Sequence, residues 1–101
     1  MKIAKSVNGV IIRLPDERWQ HIIEEHAEMT DCLDETLAAI QKPLAVFEGN
    51  AGELLAACEI ETEKYIIVAY REVSAQDGFI ITAFLTRRWK QIERRKKIWS
   101  Q

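Results

Sequence analysis

His21 and His26 are the only histidines in this chain of 101 residues, and each carries a group that exchanges a proton near neutral pH. They bracket the stretch His21-Ile22-Ile23-Glu24-Glu25-His26. A zinc-binding helix of the HExxH kind spaces its imidazoles four residues apart so that both share a face. Five residues of separation set them about 140° apart on a helix with about 3.6 residues per turn. No third histidine and no nearby cysteine pair could complete a ligand set. The pair therefore predicts no metal centre, but two imidazoles in different surroundings. His26 falls on an apolar stripe with Trp19, Ile22 and Ile23, near the end of its helix, and would face the fold. His21 points the other way. Either could serve as an acid, a base or a phosphate ligand; the ordinary alternative is a half-buried imidazole donating to a carbonyl.

Two further side chains lie where strands end or interrupt an apolar run. Arg71 follows Tyr65-Ile66-Ile67-Val68-Ala69-Tyr70, and a guanidinium at a strand end can hold phosphate with paired donors. Its structural alternative is a strand-end salt bridge with the neighbours of Glu72 or with an adjacent strand. Thr82 is a hydroxyl inside Ile80-Ile81-Thr82-Ala83-Phe84; its alternative is a β-branched filler. Thr86 and Arg87 mark the end of that same run. Beyond them Arg87, Arg88, Lys90, Arg94, Arg95, Lys96 and Lys97 supply seven of the fourteen basic residues, opposed by Glu93 alone. This segment carries +6 in a chain of net charge −2. Such asymmetry suggests an element aimed at an anionic partner, against the plainer reading of a solvated tail.

The elements that must position these groups follow from pattern. Asn8-Gly9 between residues 2–7 and 10–14 predicts a β-hairpin with a type I′ turn. Pro15 and the acidic residues after it predict a helix from Asp16 to Glu25 or His26. Thr30 or Asp31 would cap a second helix with Leu33, Leu37 and Ile40 buried, and Pro43 would end it. Four strands follow: Leu44–Glu48, Glu53–Glu61 with Leu54, Ala56, Cys58 and Ile60 on one face, Lys64–Val73, and Phe79–Thr86. In the last of these, strict alternation separates Phe79, Ile81, Ala83 and Leu85 from Ile80, Thr82, Phe84 and Thr86. Their short connections predict antiparallel pairing. A basic helix over about Arg87–Ile98 would close the chain, with Trp89, Ile92 and Trp99 near one face. The expectation is one α+β domain over residues 1–101: a hairpin, two helices, a four-stranded antiparallel sheet with helices on one face, and a C-terminal helix.

Composition narrows the function classes. Hydrophobic residues make up 48% and charged residues 30%, which is ordinary for a folded domain and unlike disorder. No apolar run approaches the roughly 20 residues that span a bilayer. Met1-Lys2-Ile3-Ala4-Lys5 lacks the apolar core of a signal peptide, so a cytoplasmic location is expected. Cys32 and Cys58 match neither a CxxC motif nor a zinc ribbon and are read as small buried hydrophobes. There is no Walker loop, GxGxxG or GxSxG, so nucleotide-dependent, redox and α/β-hydrolase chemistry lack their signals.

Taken together, Trp19-x-His21-Ile22-x-x-x-His26, Tyr70-Arg71-Glu72 and Asp77-Gly78-Phe79-Ile80-Ile81-Thr82-Ala83-Phe84-Leu85-Thr86 resemble small bacterial and phage-associated proteins of the barnase–EndoU–colicin–RelE-like nuclease superfamily. The resemblance spans about residues 6–99. It implies a RelE/barnase-like layout and metal-independent RNA cleavage by attack of a ribose 2′-hydroxyl, often in a toxin. It further implies His26 or His21 as acid or base, Arg71 on the phosphate and Thr82 as a hydroxyl donor. Arg87 and Arg88 would hold flanking phosphates, with Thr86, Lys90, Arg94 and Arg95 extending the RNA surface. No cofactor or metal is expected; RNA, an antitoxin or inhibitor protein and a second copy of the chain are the expected partners. The acidic net charge departs from the basic RelE-like toxins. Two other readings stand beside it: a non-catalytic module docking nucleic acid or protein through the basic C-terminal helix, and a self-associating structural domain.

Overall fold

A computed structural model describes residues 1–101. In chain order its elements are β1 (Lys2–Lys5), β2 (Ile11–Leu14), α1 (Asp16–Glu25), a 3-10 turn at Ala27–Met29, α2 (Leu33–Gln41), β3 (Ala45–Glu48), β4 (Leu54–Glu61), β5 (Lys64–Glu72), β6 (Gly78–Thr86), α3 (Trp89–Glu93) and β7 (Lys97–Ser100). The fold is α+β, with three helices and one mixed sheet of seven strands in the order β1-β2-β6-β5-β4-β3-β7. No helix is long and apolar enough to cross a membrane.

The expected four antiparallel strands are present as the run β3–β6, but they do not stand alone. The hairpin joins them through a short parallel contact, Ile12 opposite Gly78 and Arg13 opposite Phe79. Two side-chain clamps hold that contact. Arg13 forks onto Asp77, with Nε to Oδ1 at 2.7 Å and Nη2 to Oδ2 at 3.1 Å. The Glu72 carboxylate accepts from Ser6 Oγ at 2.5 Å and Asn8 Nδ2 at 3.0 Å. The turn between β1 and β2 is not type I′, since Asn8 keeps a negative φ and Gly9 alone is left-handed at 79°. Gly9 N–H donates to Ser6 C=O and Ser6 N–H to Val10 C=O, a longer loop ending in a left-handed glycine.

Two apolar clusters cover the two faces of the sheet. On one face Ile22, Met29, Ala39 and Ile40 from the helical half meet Ile12, Leu14, Ala56, Ile66, Val68, Tyr70, Ile80 and Ala83. On the other, Ile92 and Trp89 of α3 meet Phe47, Leu55, Ile67, Ala69, Tyr65, Ile81 and Phe84. Helices therefore lie on both faces rather than one. α1 has the predicted bounds and buries Ile22, with Trp19 and Ile23 packed beside it. α2 begins later than its expected caps: Thr30 caps the end of the 3-10 turn, its hydroxyl donating to Ala27 C=O, and Cys32 precedes the first helical residue.

The C-terminal helix expected over Arg87–Ile98 is not formed. Helix stops at Glu93, and Lys97–Ser100 becomes the edge strand β7, antiparallel to β3 with Val46 opposite Trp99. Arg94, Arg95, Lys96 and Lys97 in succession would crowd like charges at helical spacings. The open edge of β3 instead offers backbone partners, used by Glu48 N–H to Lys96 C=O and Gln101 N–H to Leu44 C=O. Trp89 and Trp99 consequently separate. Trp89 lies on the α3 face with Phe47, while Trp99 shares the opposite face with Val46 and lines a depression with Gln41 and Pro43 of the α2 end. That depression also touches Lys5–Val7, so the two edges of the sheet curl towards each other around α2.

The Arg13 guanidinium, chiefly by its hydrogen bond, holds the Asp77 carboxyl below its ordinary value of 3.8. A carboxyl depressed by folding contributes stability that is complete above its unfolded value and is lost as pH falls through its folded one. Asp77→Asn is therefore expected to flatten the acid limb of stability below about pH 4. Urea midpoints across the acid range test this; an unchanged acid limb would show that the clamp carries no linkage.

Candidate active site

Arg71 reaches the α3 face by parity. Along β5, Ile66, Val68 and Tyr70 join the cluster under α1 and α2, whereas Tyr65, Ile67 and Ala69 lie on the opposite side. Arg71, next in that alternation, follows them. Its Nη2 donates to Ala51 C=O at 2.9 Å, and the remaining guanidinium donors have no protein partner. It makes no ion pair, so the alternative of a strand-end salt bridge is not formed; Glu72 is taken up by the hairpin instead.

Thr82 reaches the same face only because β6 carries a bulge. Ala69 stands opposite Thr82, but Tyr70 stands opposite Ile80, which leaves Ile81 without a partner. Strict alternation from Ile80 would have sent Thr82 to the α1/α2 side. With Ile81 inserted, Ile81 and Thr82 both lean to the α3 face, followed by Phe84 and Thr86, while Ile80, Ala83 and Leu85 face the other way. Thr82 and Arg71 are thus near-diagonal neighbours on adjacent strands, a placement that brings side chains within roughly 7–8 Å. Thr82 Oγ1 makes no hydrogen bond within the chain, unlike the buried Thr36, whose hydroxyl donates to Cys32 C=O at 2.7 Å.

The histidines divide as their spacing predicted. His21 lies on the solvent side of α1, its Nε2 2.8 Å from Glu25 Oε1, beside Pro15, Glu17 and Arg18. Nothing brings it towards Arg71 or Thr82. His26 ends α1 and lies half-buried against Phe84, ring centroids 6.0 Å apart, with Nδ1 3.7 Å from Glu28 Oε2. Phe84 is the next residue after Thr82 on that face of β6. His26, Phe84, Thr82 and Arg71 are therefore strung along the strands: Phe84 stands opposite Ile67, Thr82 opposite Ala69, and Arg71 lies four residues beyond Ile67, roughly 13 Å at about 3.3 Å per residue. His26 makes no direct hydrogen bond to Thr82 or Arg71, and none of the five main surface depressions is lined by any of these three. The arrangement is a shallow, half-buried surface beside α3 rather than a closed pocket.

The cations flank this surface. None of Arg87, Arg88, Lys90, Arg94, Arg95, Lys96 and Lys97 forms an ion pair; the chain's four lie elsewhere. Arg87 leans on Thr62 C=O at 3.4 Å, and Arg95 donates to Asn50 Oδ1 at 2.8 Å. Thr86 Oγ1 accepts from Arg88 N–H at 3.0 Å, a turn-forming role that occupies its hydroxyl. Sequence reasoning did not single out the loop Gly49–Glu53, which carries two of these contacts. Ala51 N–H donates to Glu53 Oε1 at 2.8 Å, which with Arg71 and Arg95 nearby draws the Glu53 carboxyl below its ordinary range. The only signal for it was the turn-forming run Gly49-Asn50-Ala51-Gly52.

No group of acidic, histidine or cysteine side chains is arranged to hold a metal ion. Cys32 and Cys58 are free and half-buried, and burial raises both thiols, the opposite of what a reactive thiolate needs. Comparison of the chain with protein-family models, curated proteins and solved structures found no match.

Gly52 is left-handed at φ 85°, and a Cβ there would lie 3.3 Å from Arg71 Nη1. Gly52→Ala is expected to cost about 1 kcal/mol, the usual left-handed penalty of a side chain. A urea midpoint that does not fall would show that the loop relaxes away from Arg71.

Proposed function

We propose that the α3 face of the sheet binds RNA and cleaves it without a metal, by attack of a ribose 2′-hydroxyl on the adjacent phosphate. The observation that carries this reading is the Ile81 bulge, which aims Thr82 at the face already holding Arg71. His26 would take the 2′-hydroxyl proton as O2′ bonds to phosphorus, the P–O5′ bond would break with the 5′-oxygen taking its proton from the imidazolium or water, Arg71 would stabilise the charge that builds on the phosphorane, and Thr82 would donate to a non-bridging oxygen. Arg87, Arg88, Lys90, Arg94 and Arg95 would hold the flanking strand, with Thr86 shaping the turn that presents them. His21 has no part in it, since it points to solvent on the far side of α1. The helical pair followed by the antiparallel run β3–β6 suits the RelE/barnase-like layout that the motifs resemble. An antitoxin or inhibitor protein, self-association and action in the cytoplasm as a toxin belong to the same proposal.

Purified protein is expected to cut single-stranded RNA in excess EDTA, leaving cyclic phosphate ends. His26→Ala should lower the rate by about 10²–10⁴-fold, as for loss of a general acid or base, and Arg71→Ala by about 10²–10³-fold, as for loss of a transition-state charge partner. His21→Ala should leave it unchanged. Absence of cleavage, or full activity in both His26→Ala and Arg71→Ala, would overturn the proposal.

The shallow character of the surface, and seven cations free of ion pairs, favour a second reading in which the face binds nucleic acid without cutting it. The basic element is then the short α3 with β7, not a long helix. Affinity would fall with salt at a log–log slope of about −0.7 per phosphate contacted, would be lost on neutralising Arg87, Arg88 and Lys90, and would be indifferent to His26→Ala. A salt-independent affinity would exclude it.

A further inference from the structure

At the end of the α3 face remote from Arg71, two aromatic rings make a shelf. Tyr65 immediately precedes the buried stretch of β5 and stands opposite Thr86, and Trp89 begins α3. The rings stack with centroids 4.3 Å apart and planes 21° from parallel. Phe47 braces Trp89 edge-on at 5.7 Å and 77°, so the shelf is held from beneath by the core. Both rings are only half-buried, and they open into a depression of about 600 Å³ bordered by Glu63, Arg87, Arg88 and Lys90. That is ample for one nucleoside.

The chemistry of the border selects the occupant. Arg88 and Lys90 have no partner for their side chains, and Arg87 touches only Thr62 C=O, at 3.4 Å. Two or three free cations beside half-exposed aromatic rings, each with one face already taken by the other ring, make a combination suited to single-stranded nucleic acid, in which rings stack bases and cations follow the phosphates. The carboxylates of Glu63 and Glu93, which also face the depression, repel a phosphate from the shelf itself and leave it to an uncharged base. A duplex keeps its bases stacked on one another and could offer only its backbone.

We propose that Tyr65 and Trp89 form a base-stacking subsite for single-stranded nucleic acid, with Arg87, Arg88 and Lys90 holding the adjoining phosphates. Tyr65 and Arg71 lie six residues apart on one face of β5, roughly 20 Å at about 3.3 Å per residue. α3 covers Ile67 and Ala69 between them, so an extended strand with a base on the shelf would have to pass beside α3 to bring a phosphate several nucleotides away to Arg71. The subsite rests on the reading of this face as a nucleic-acid surface, but not on any cleavage.

The test uses the intact protein and ten-nucleotide 2′-O-methyl strands, which cannot be cut by 2′-hydroxyl attack, so binding is read apart from chemistry. The wild-type protein should bind an ordinary strand about tenfold more tightly than an abasic strand of equal length and charge. It should also prefer the single strand to the same sequence in duplex. Trp89→Leu and Tyr65→Ser, each verified as folded by circular dichroism, should erase the difference between ordinary and abasic strands. The double change Arg88→Ala with Lys90→Ala should weaken both strands alike and keep the difference. A deoxy strand bound as well as the 2′-O-methyl one would support a shelf that reads bases and ignores the sugar. Equal affinity for ordinary and abasic strands in the wild type would overturn the proposal, whatever the variants do. Base-dependent binding without RNA cleavage would leave the subsite standing and remove the nuclease; cleavage without base dependence would do the reverse.

Discussion

Burial of β5 on both faces is the constraint on which the rest of the molecule depends. Ile66, Ile67, Val68, Ala69 and Tyr70 are all buried in succession, so neither face of this strand can be given to water. The sheet must be covered twice, by α1 and α2 on one side and by α3 on the other. A register slip of one residue would exchange the two sets and turn Arg71 into the larger core. The burial is complete enough to leave the Tyr70 hydroxyl without a partner, and burial holds that phenol well above its ordinary range. A hydroxyl buried unpaired costs about 1–3 kcal/mol, which shows how far packing outweighs polar satisfaction here.

Parity on β5 decides where Arg71 goes, but parity on β6 is broken, and the break matters for chemistry. An unpaired Ile81 shifts every later side chain to the other face. Ile81 itself supports α3, Thr82 joins Arg71, and Phe84 becomes the contact for His26. Pairing of β2 with β6 ends at Phe79, so the edge of β6 from Ile80 onward is left to the end of α1 and the 3-10 turn. His26 can approach the α3 face because the hairpin is too short to cover that edge. The candidate site is thus assembled from two irregularities, an inserted residue and a strand that stops early, set against one very regular strand.

These irregularities explain how much was legible beforehand. The bounds of α1, β4, β5 and β6 follow from apolar periodicity, because each element buries a continuous stripe, and a divergence of His21 and His26 was expected from helix geometry, although His26 caps α1 with a non-helical backbone (φ −131°, ψ 79°) that turns it towards Phe84. The bulge was not legible. Ile80, Ile81, Thr82, Ala83 and Phe84 alternate acceptably in either register, and only pairing with Tyr70 and Ala69 shows which residue is extra. The fate of residues 94–100 was hidden for a similar reason. Trp89 and Ile92 do suit a helix, and the like charges after them weigh against continuing it without showing what replaces it until one knows that the edge of β3 is vacant. Long-range pairing, rather than local propensity, made Lys97–Ser100 a strand. The type of turn at Asn8-Gly9 was also decided from afar, since Glu72 engages Ser6 and Asn8 together.

The strand at the C-terminus also changes what the basic segment can do. A continuous helix over residues 87–98 would have spread its charges around a cylinder, with successive residues about 100° apart. Broken at Glu93, the segment folds back instead. Ile92 and Trp89 pin α3 to the sheet, Arg95 is tied to the Gly49–Glu53 loop through Asn50, and that loop is tied to Arg71 through Ala51. Cations from one end of the chain are thereby brought alongside an arginine from the middle of it, on one face, with the Glu53 carboxylate near Arg71 and Arg95 but beyond ion-pair distance. Like charges gathered this way oppose folding and are retained at some expense in stability. An anion bound across them would relieve that repulsion, which is why the charge distribution points to function more firmly than any single titratable residue on this surface.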